Sequence, residues 1–252
     1  MIVTRPRAQA AGWVQALAAQ GLDAQALPLI EIAPPLDGTA VQQAWLELPK
    51  QDFVMFVSAN AVERFFALRP PGMAWPNGLR AGSTGQGTSA ALQSCGVAQA
   101  LIAQPAPGEP SESEALWRQI AAQSWHGRRV LVVRGEDGRN WLAQQWERAG
   151  AAVVFLVAYQ RRRPVLDDAQ SSLLARALAE PQRHVWLFSS SEAVDHLIAL
   201  SAGADWFFSQ ALATHPRIAA VARAAGFAQV SVVEPQVEAV AAVCAHLESA
   251  AP

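Results

Sequence analysis

Charged side chains are scarce in this sequence. Only 16% of its 252 residues are charged, and Lys50 is its single lysine, so almost all of its basic side chains are arginines. The formal net charge is −2, which leaves no basic surplus for binding nucleic acid or an anionic membrane surface. Because 52% of the residues are hydrophobic, we expect a packed globular protein of one large or two small domains.

The sequence also lacks the patterns of a metal centre, a disulfide framework and a membrane span. Its two cysteines, Cys95 and Cys244, stand far apart, and neither has metal-ligand spacing. No apolar run reaches the roughly 18 residues of a spanning helix. Arg5 and Arg7 are not followed by the apolar segment of a signal peptide. These absences predict a protein of the reducing cytoplasm that binds neither metal nor membrane.

The stretch at residues 52–66, DFVMFVSANAVERFF, has the pattern of a strand, a turn and a helix. Residues 53–57 form an apolar run of strand length that ends at Ser58. Asn60 is the expected N-cap of the helix, since apolar residues recur after it at helical spacing. The first turn of such a helix presents unpaired backbone N–H groups, which can bind an anion.

The same pattern returns at residues 184–200, HVWLFSSSEAVDHLIAL, where Ser190 corresponds to Ser58. Arg5 and Arg134 likewise follow the first strands of two matching segments, at a shift of about 130 residues. The repeat predicts an α/β protein with two doubly wound parallel-sheet units, flavodoxin-like or Rossmann-like, with helices on both faces. Ligands of such sheets bind at the carboxyl ends of the strands. Periodicity alone leaves open whether the two domains are sequential.

Several segments, taken together and in order, resemble the uroporphyrinogen-III synthase family. They are IVTRP, LPLIEI, FVSANAVERFF, GQGTSAALQSCG, SESEAL, VLVVRGEDGR, AYQR, FSSSEAVDHL, ARAAGF and VVEP. The resemblance implies two α/β domains joined by a connector of two extended strands. The first domain would contain residues 1–32 and 165–252 and the second residues 37–155, with connectors at 33–36 and 156–164.

The resemblance also implies a reaction that needs no cofactor and no metal. Hydroxymethylbilane, a linear tetrapyrrole polycarboxylate, would be cyclised to uroporphyrinogen III with loss of water and inversion of its last ring. The expected partner is therefore this small molecule alone, bound by a cytoplasmic monomer. A second hypothesis, from a different class, is a non-catalytic two-domain module that binds a small anionic ligand.

The candidate catalytic residue is Tyr159, the only tyrosine in the sequence. It matches the family tyrosine proposed as a proton donor or water-positioning group. The structural alternative is a strand residue packed against its domain. The candidate substrate-binding residues belong to the strand–helix turns or follow the first strand of each repeat. They are Arg5, Ser58, Ala59, Asn60, Gly85, Gln86, Thr88, Arg134, Gly135, Ser189, Ser190, Ser191 and Arg217.

Each group of candidates has a structural alternative. The serines can cap helices, which uses the same N–H groups as anion binding. Arg5 and Arg134 suit bidentate pairing with a carboxylate, but they could equally form salt bridges within the protein. Arg217 stands in a turn, HPRI, that departs from the glycine and small hydroxyl residues usual in the family. It either binds a propionate or points to solvent.

A glycine-rich turn raises a further alternative, because Gly85, Gly87 and Ala90 nominally fit the dinucleotide-binding pattern GxGxxG/A. A true nucleotide site needs a strong strand immediately before the turn. Residues 80–84, RAGST, are predicted to be a poor strand. The sequence therefore disfavours a nucleotide at this turn.

Overall fold

The computed structural model describes residues 1–106, 108–109 and 112–249. The chain divides into two compact units, one made of Met1–Glu31 with Arg162–Pro252 and the other of Ile32–Arg161. Each unit contains a sheet of parallel strand pairs flanked by helices, so the predicted α/β class is confirmed.

The strands alternate with helices along most of the chain. The strands are β1 (Ile2–Val3), β2 (Gln25–Ala26), β3 (Glu31–Ala33), β4 (Phe53–Phe56), β5 (Arg80–Ser83), β6 (Ile102–Ala103), β7 (Arg129–Gly135), β8 (Ala152–Arg162), β9 (Val185–Phe188), β10 (Gln210–Ala213) and β11 (Gln229–Val232). The α-helices are α1 (Arg7–Ala19), α2 (Gly38–Glu47), α3 (Ala59–Ala67), α4 (Gln86–Ser94), α5 (Ser113–Ile120), α6 (Trp141–Arg148), α7 (Asp168–Ala179), α8 (Ser191–Leu200), α9 (Pro216–Ala224) and α10 (Val237–Ser249). In the described part of the chain, no helix combines the length and the apolar character needed to cross a bilayer.

The first unit has a five-stranded sheet in the order β11-β10-β9-β1-β2. Counted along the chain this is the order 2-1-3-4-5 of flavodoxin-like sheets, whose ligand-binding switch point lies between the first and third strands. Here that point lies between β1 and β9. Alternate residues of β9 face opposite sides, because Leu187 joins the core under α1 and α10 while Trp186 and Phe188 pack with Trp206 and Phe227.

The second unit has a six-stranded sheet in the order β3-β8-β7-β4-β5-β6. Its central strand β4 is buried on both faces, which explains the uninterrupted apolar run. Val54 and Phe56 belong to the core beneath α2, α3 and α4, whereas Phe53 and Met55 belong to the core beneath α5 and α6. In this sheet the switch point lies between β7 and β4.

The strand β5 corrects one expectation from the sequence. Residues 80–84 were predicted to be a poor strand, and this was wrong, since β5 pairs with β4 on one side and β6 on the other. Its small residues fit a close approach, because a Cβ on Gly82 would lie 2.6 Å from the ring of Phe53. Tertiary packing thus outweighs the low strand propensity of this segment.

The start of α3 corrects a second expectation. Asn60 was predicted to be the N-cap, but the helix begins at Ala59 and its N-cap is Ser58. The Ser58 Oγ accepts a hydrogen bond from the N–H of Ala61 at 3.2 Å. The helix begins one residue before Asn60 because Ser58 has an extended backbone, which places its hydroxyl over the N–H groups of the first turn.

Candidate functional site

The candidate residues of the second unit form a row at the carboxyl edge of its sheet. Phe56 pairs with Val133 of β7 on one side and with Ser83 of β5 on the other. Gly135, Ser58 and Gly85 each follow these paired positions by two residues, so the three turns lie side by side. This is the edge where parallel sheets bind ligands.

A register shift places Tyr159 in this row. Arg134 pairs with Val157 and Gly135 pairs with Tyr159, so β8 has one more residue than β7 between these pairs. Such bulges redirect side chains and are frequent beside functional sites. The Tyr159 ring lies against Gly135, where an added Cβ would be 3.0 Å from the ring carbons. A glycine at position 135 is therefore what allows the phenol to lie there.

The phenol of Tyr159 makes a hydrogen bond with Ser58. Its Oη lies 3.2 Å from the Ser58 Oγ, and the side chain of Tyr159 is buried with only 1% exposure. The Ser58 Oγ also caps α3 through Ala61, so Ser58 has both a capping role and a contact with the candidate catalytic residue. Ala59 and Asn60 are half-buried in the first turn of the same helix. The structure thus brings Tyr159 and the first candidate turn together.

Arg134 is bound by its own loop. The guanidinium is buried and donates to the carbonyl oxygens of Gly135 at 3.2 Å and Gly138 at 2.9 Å, and to Asn140 Oδ1 at 2.5 Å. It also lies 5.3 Å from the ring centroid of Phe155. These acceptors are all neutral, and no ion pair joins Arg134 to a carboxylate within the described residues.

The Gly85 turn begins α4 without a side-chain cap. Gln86 is exposed and Thr88 is buried in the first helical turn. Beneath the turn, the Ser83 Oγ lies 2.6 Å from the Ser89 Oγ, and Ser89 donates in turn to Gln104. This buried network fixes the end of β5 against α4 and β6.

A small cavity of about 80 Å³ adjoins the Gly85 turn, with Gly85, Gln86, Gln104 and Glu109 among its lining residues. Sites for drug-sized ligands and cofactors measure roughly 300–1,000 Å³. Glu109 also accepts hydrogen bonds from the backbone N–H of Ala106 and from Arg118, and the Arg118 hydrogen bond is the main cause that lowers its carboxyl pKa. Although β5 is present, the cavity at this turn is smaller than the usual size of a cofactor site.

In the first unit, the switch point brings Arg5 and the second serine turn to one edge. Val3 of β1 pairs with Leu187 of β9, so Arg5 lies at the level of Ser189. Ser190 is the N-cap of α8 but makes no side-chain capping bond. The Ser191 Oγ is a buried atom without a hydrogen-bond partner in the described structure.

Arg5 differs from Arg134 in its surroundings. Its guanidinium carbon lies 4.2 Å from the ring centroid of Trp13, and its buried Nε has no hydrogen-bond partner among the described residues. Burial lowers the pKa of this arginine. Trp13 was not among the candidates, although its position eight residues after Arg5 on a helix was visible in the sequence.

Arg217 is exposed in the first turn of α9, beside the serine turn, since Ala213 of β10 pairs with Phe188 of β9. Its backbone N–H donates to the Nδ1 of His215 at 3.1 Å, so His215 caps this helix where the family usually has glycine. The sequence indicated no such role for His215. Because this hydrogen bond uses only the backbone of Arg217, its exposed side chain is available to solvent or to a ligand.

Sequence reasoning missed the residues that support these turns, namely Gly138, Asn140, Ser83, Ser89 and Gln104. Their contacts form between segments that only the folded chain brings together, and no local pattern marks them. Among the described residues, no three His, Cys, Asp or Glu side chains gather where they could hold a metal ion.

Comparison with known proteins identifies the family. The family model for uroporphyrinogen-III synthase HemD matches residues 11–242. The uroporphyrinogen-III synthase of Salmonella typhimurium is 31% identical over 174 residues, which cover 69% of this chain and 69% of that protein. The enzyme of Proteus mirabilis is 31% identical over 162 residues, covering 64% of this chain and 79% of that protein.

A solved structure shares the fold. The crystal structure of a mutant uroporphyrinogen III synthase from the extremely thermophilic bacterium Thermus thermophilus superposes with a TM-score of 0.60 over 98% of both chains, at 13% sequence identity. At that identity the likeness concerns the fold alone, whereas the family match concerns the sequence itself. The resemblance drawn from the sequence segments is therefore confirmed, and this chain belongs to the uroporphyrinogen-III synthase family.

Proposed function

We propose that this protein is a cyclising lyase of tetrapyrrole biosynthesis that converts hydroxymethylbilane to uroporphyrinogen III. The observation that carries the proposal is the family match, which spans residues 11–242 and includes nearly all the candidate residues. The non-catalytic binding module is the weaker hypothesis, because the matched relatives are named as synthases.

The reaction requires little covalent assistance from the protein. A hydroxyl group leaves the substrate as water, and the resulting azafulvene cation is attacked by a carbon of the last ring. The spiro intermediate then rearranges, so that this ring is inverted when the macrocycle closes and a proton is lost. Holding the two ends of the chain together supplies much of the rate, since well-oriented intramolecular reactions have effective molarities of roughly 10⁵–10⁸ M.

We assign the carboxylates of the substrate to the turns at the carboxyl edges of the two sheets. Backbone N–H groups of the first turns of α3, α4 and α8 can donate to them, and the partial positive charge of each helix N-terminus favours an anion. This arrangement suits a polyanionic substrate because it needs few buried charges. The side chains of Thr88, Ser189, Ser190 and Arg217 would add hydrogen bonds to the same carboxylates.

We assign to Tyr159 the task of assisting the leaving hydroxyl, by donating a hydrogen bond or proton to it. The Ser58 hydroxyl, 3.2 Å from the phenol, supports this role because it can orient the phenol O–H and replenish its proton. Holding the two ends of the substrate together does not depend on this side chain. Tyr159 should therefore accelerate the reaction without being indispensable.

Three further points belong to the proposal. The domains are residues 1–32 with 165–252, and 37–155, linked by connectors at 33–36 and 156–164; the compact units support the grouping of the two end segments of the chain in one domain. The protein acts as a monomer in the cytoplasm and binds no nucleic acid, which its net charge of −2 supports. It uses no cofactor. Light scattering of the purified protein would test the monomeric state.

The direct test is to incubate the protein with hydroxymethylbilane and to separate the isomers of the product after oxidation. Without an enzyme the substrate closes to the type I isomer. We expect the type III isomer in excess, in proportion to the protein added. Formation of the type I isomer alone would refute the proposed activity, and a heat-denatured sample is the matched control.

A further inference from the structure

The two halves of the repeat place an arginine at corresponding positions, but they treat it differently. We define the Arg5 corner as Arg5, Trp13, Ser190 and Ser191 in the first unit. In the second unit the equivalent arginine, Arg134, has three neutral acceptors of its own. In the Arg5 corner, two buried polar atoms, the Arg5 Nε and the Ser191 Oγ, have no partner among the described residues.

The length of the following loop explains the difference. Helix α1 begins at Arg7, two residues after Arg5, so no loop is available to fold over the guanidinium. Helix α6 begins at Trp141, and residues 136–140 instead wrap around Arg134. Gly138 has a φ of +155°, and a Cβ there would lie 3.0 Å from an Arg134 guanidinium nitrogen. The second unit is thus built to enclose its arginine, and the first is not.

A partly buried guanidinium that lacks acceptors is unfavourable, because it loses hydration without gaining hydrogen bonds. Trp13 stacks on one face of the Arg5 guanidinium, and the N–H edges of the guanidinium make no hydrogen bond to the described residues. Those edges match the two oxygens of a carboxylate in bidentate geometry. No ion pair with a carboxylate of the protein satisfies Arg5 within the described part of the chain.

We infer that Arg5 binds a carboxylate of the substrate directly, assisted by the Ser191 hydroxyl, whereas Arg134 is a structural residue that holds the loop at residues 136–140. The inference rests on the proposed function and divides its substrate-binding residues into two tasks. The Arg5 corner supplies a positive charge to the ligand, whereas Arg134 fixes the backbone of the loop at residues 136–140.

The test compares Arg5→Gln with Arg7→Gln, a matched control that removes the same charge from an exposed residue two positions away. The probe is uroporphyrin III, the oxidised and stable form of the product with the same carboxylates, and its binding is followed by quenching of tryptophan fluorescence. We expect Arg5→Gln to raise the Kd for this probe and the KM for hydroxymethylbilane roughly tenfold to hundredfold, with kcat less affected. Arg5→Lys should recover part of the affinity, and Arg7→Gln should bind as the wild type does.

Melting temperatures complete the test. Arg134→Gln should lower the melting temperature by about 5–10 °C because it removes a buried guanidinium that makes three hydrogen bonds, whereas Arg5→Gln should change it by less than about 2 °C. Wild-type affinity in Arg5→Gln, or a loss as large in Arg7→Gln, would overturn the inference. A large fall in the melting temperature of Arg5→Gln, or an unchanged melting temperature in Arg134→Gln, would also overturn it. Because uroporphyrin binding does not depend on turnover, these outcomes are separate from failure of the isomer assay.

Discussion

The contact between Ser58 and Tyr159 allows a prediction that connects stability with catalysis. Tyr159→Phe removes the phenolic oxygen and nothing else, so the Ser58 Oγ keeps its capping bond to the Ala61 N–H at 3.2 Å. Ser58→Ala removes both contacts and leaves the buried phenol without this partner. The two variants and their combination form a double-mutant cycle that isolates the hydrogen bond.

The structure sets the expected magnitudes. Loss of one neutral hydrogen bond in Tyr159→Phe should reduce the free energy of unfolding by about 0.5–1.5 kcal/mol. Ser58→Ala should cost about 2–3 kcal/mol, because it adds the loss of a helix cap, about 1 kcal/mol, to an unsatisfied buried hydroxyl. The double variant should be less destabilised than the sum of the two, with a coupling energy of about 1 kcal/mol.

Turnover should follow the same logic. General acids typically contribute 10²–10⁴-fold, but proximity should supply most of the rate here, so we expect Tyr159→Phe to lower kcat about tenfold. Ser58→Ala should lower kcat by less, and the double variant should be no slower than Tyr159→Phe alone. These results would place Ser58 as a positioning residue that acts through the tyrosine.

The assays are urea unfolding followed by tryptophan fluorescence, and the rate of type III isomer formation. Ser190→Ala is the matched control for stability, because Ser190 occupies the equivalent N-cap without a side-chain capping bond and should lose less than about 0.5 kcal/mol. Unchanged turnover in Tyr159→Phe would refute the role of the phenol. Rate losses that simply multiply in the double variant would refute the action of Ser58 through it.

Three other predictions test particular contacts. Gly135→Ala should push the Tyr159 ring, 3.0 Å from the new Cβ, away from Ser58 and lower turnover about as much as Tyr159→Phe, which kinetics and a crystal structure would check. Gly82→Ala should cost about 1–3 kcal/mol through its clash with Phe53, whereas Gly12→Ala, with open space around it, should not destabilise in urea unfolding. The Arg118 hydrogen bond lowers the pKa of Glu109 in the folded protein. The stabilisation from this hydrogen bond is therefore present above the ordinary carboxyl pKa, and it is lost as the pH falls through the pKa of Glu109 in the folded protein. Arg118→Gln should therefore raise the Glu109 pKa in an NMR titration, and an unchanged value would contradict the assignment.

The sequence predicted the repeated architecture well because its signals are local. Apolar runs, N-cap residues and glycines after helices depend on backbone geometry and on burial patterns within a few residues of chain. For this reason the strands β4 and β9 and the helices that follow them were correctly predicted. The prediction failed at β5, whose small residues carry little strand propensity, and at Asn60, where Ser58 caps the helix instead.

The candidate site was predictable only in part. The turns that hold Ser58, Gly85 and Ser190 were visible because carboxyl ends of parallel strands meet at one edge of a sheet. Their support was not visible, since Asn140 contacts Arg134 through a loop whose shape no local pattern encodes. The identical arginines of the two repeats could not be told apart from sequence, although one is enclosed and the other is not.

The amino-acid sequence by itself determined the family, the α/β class and the turns at the carboxyl ends of the strands, because these follow from the order of the residues and from the spacing of the apolar ones. Only the tertiary structure decided how the equivalent residues differ. A single extra residue in β8 turns Tyr159 toward Gly135 and Ser58, and a loop of five residues satisfies Arg134 while the Arg5 Nε has no acceptor in the described part of the chain. Such differences arise from the pairing of strands and the packing of loops distant in sequence, so that two similar segments acquire unlike surroundings.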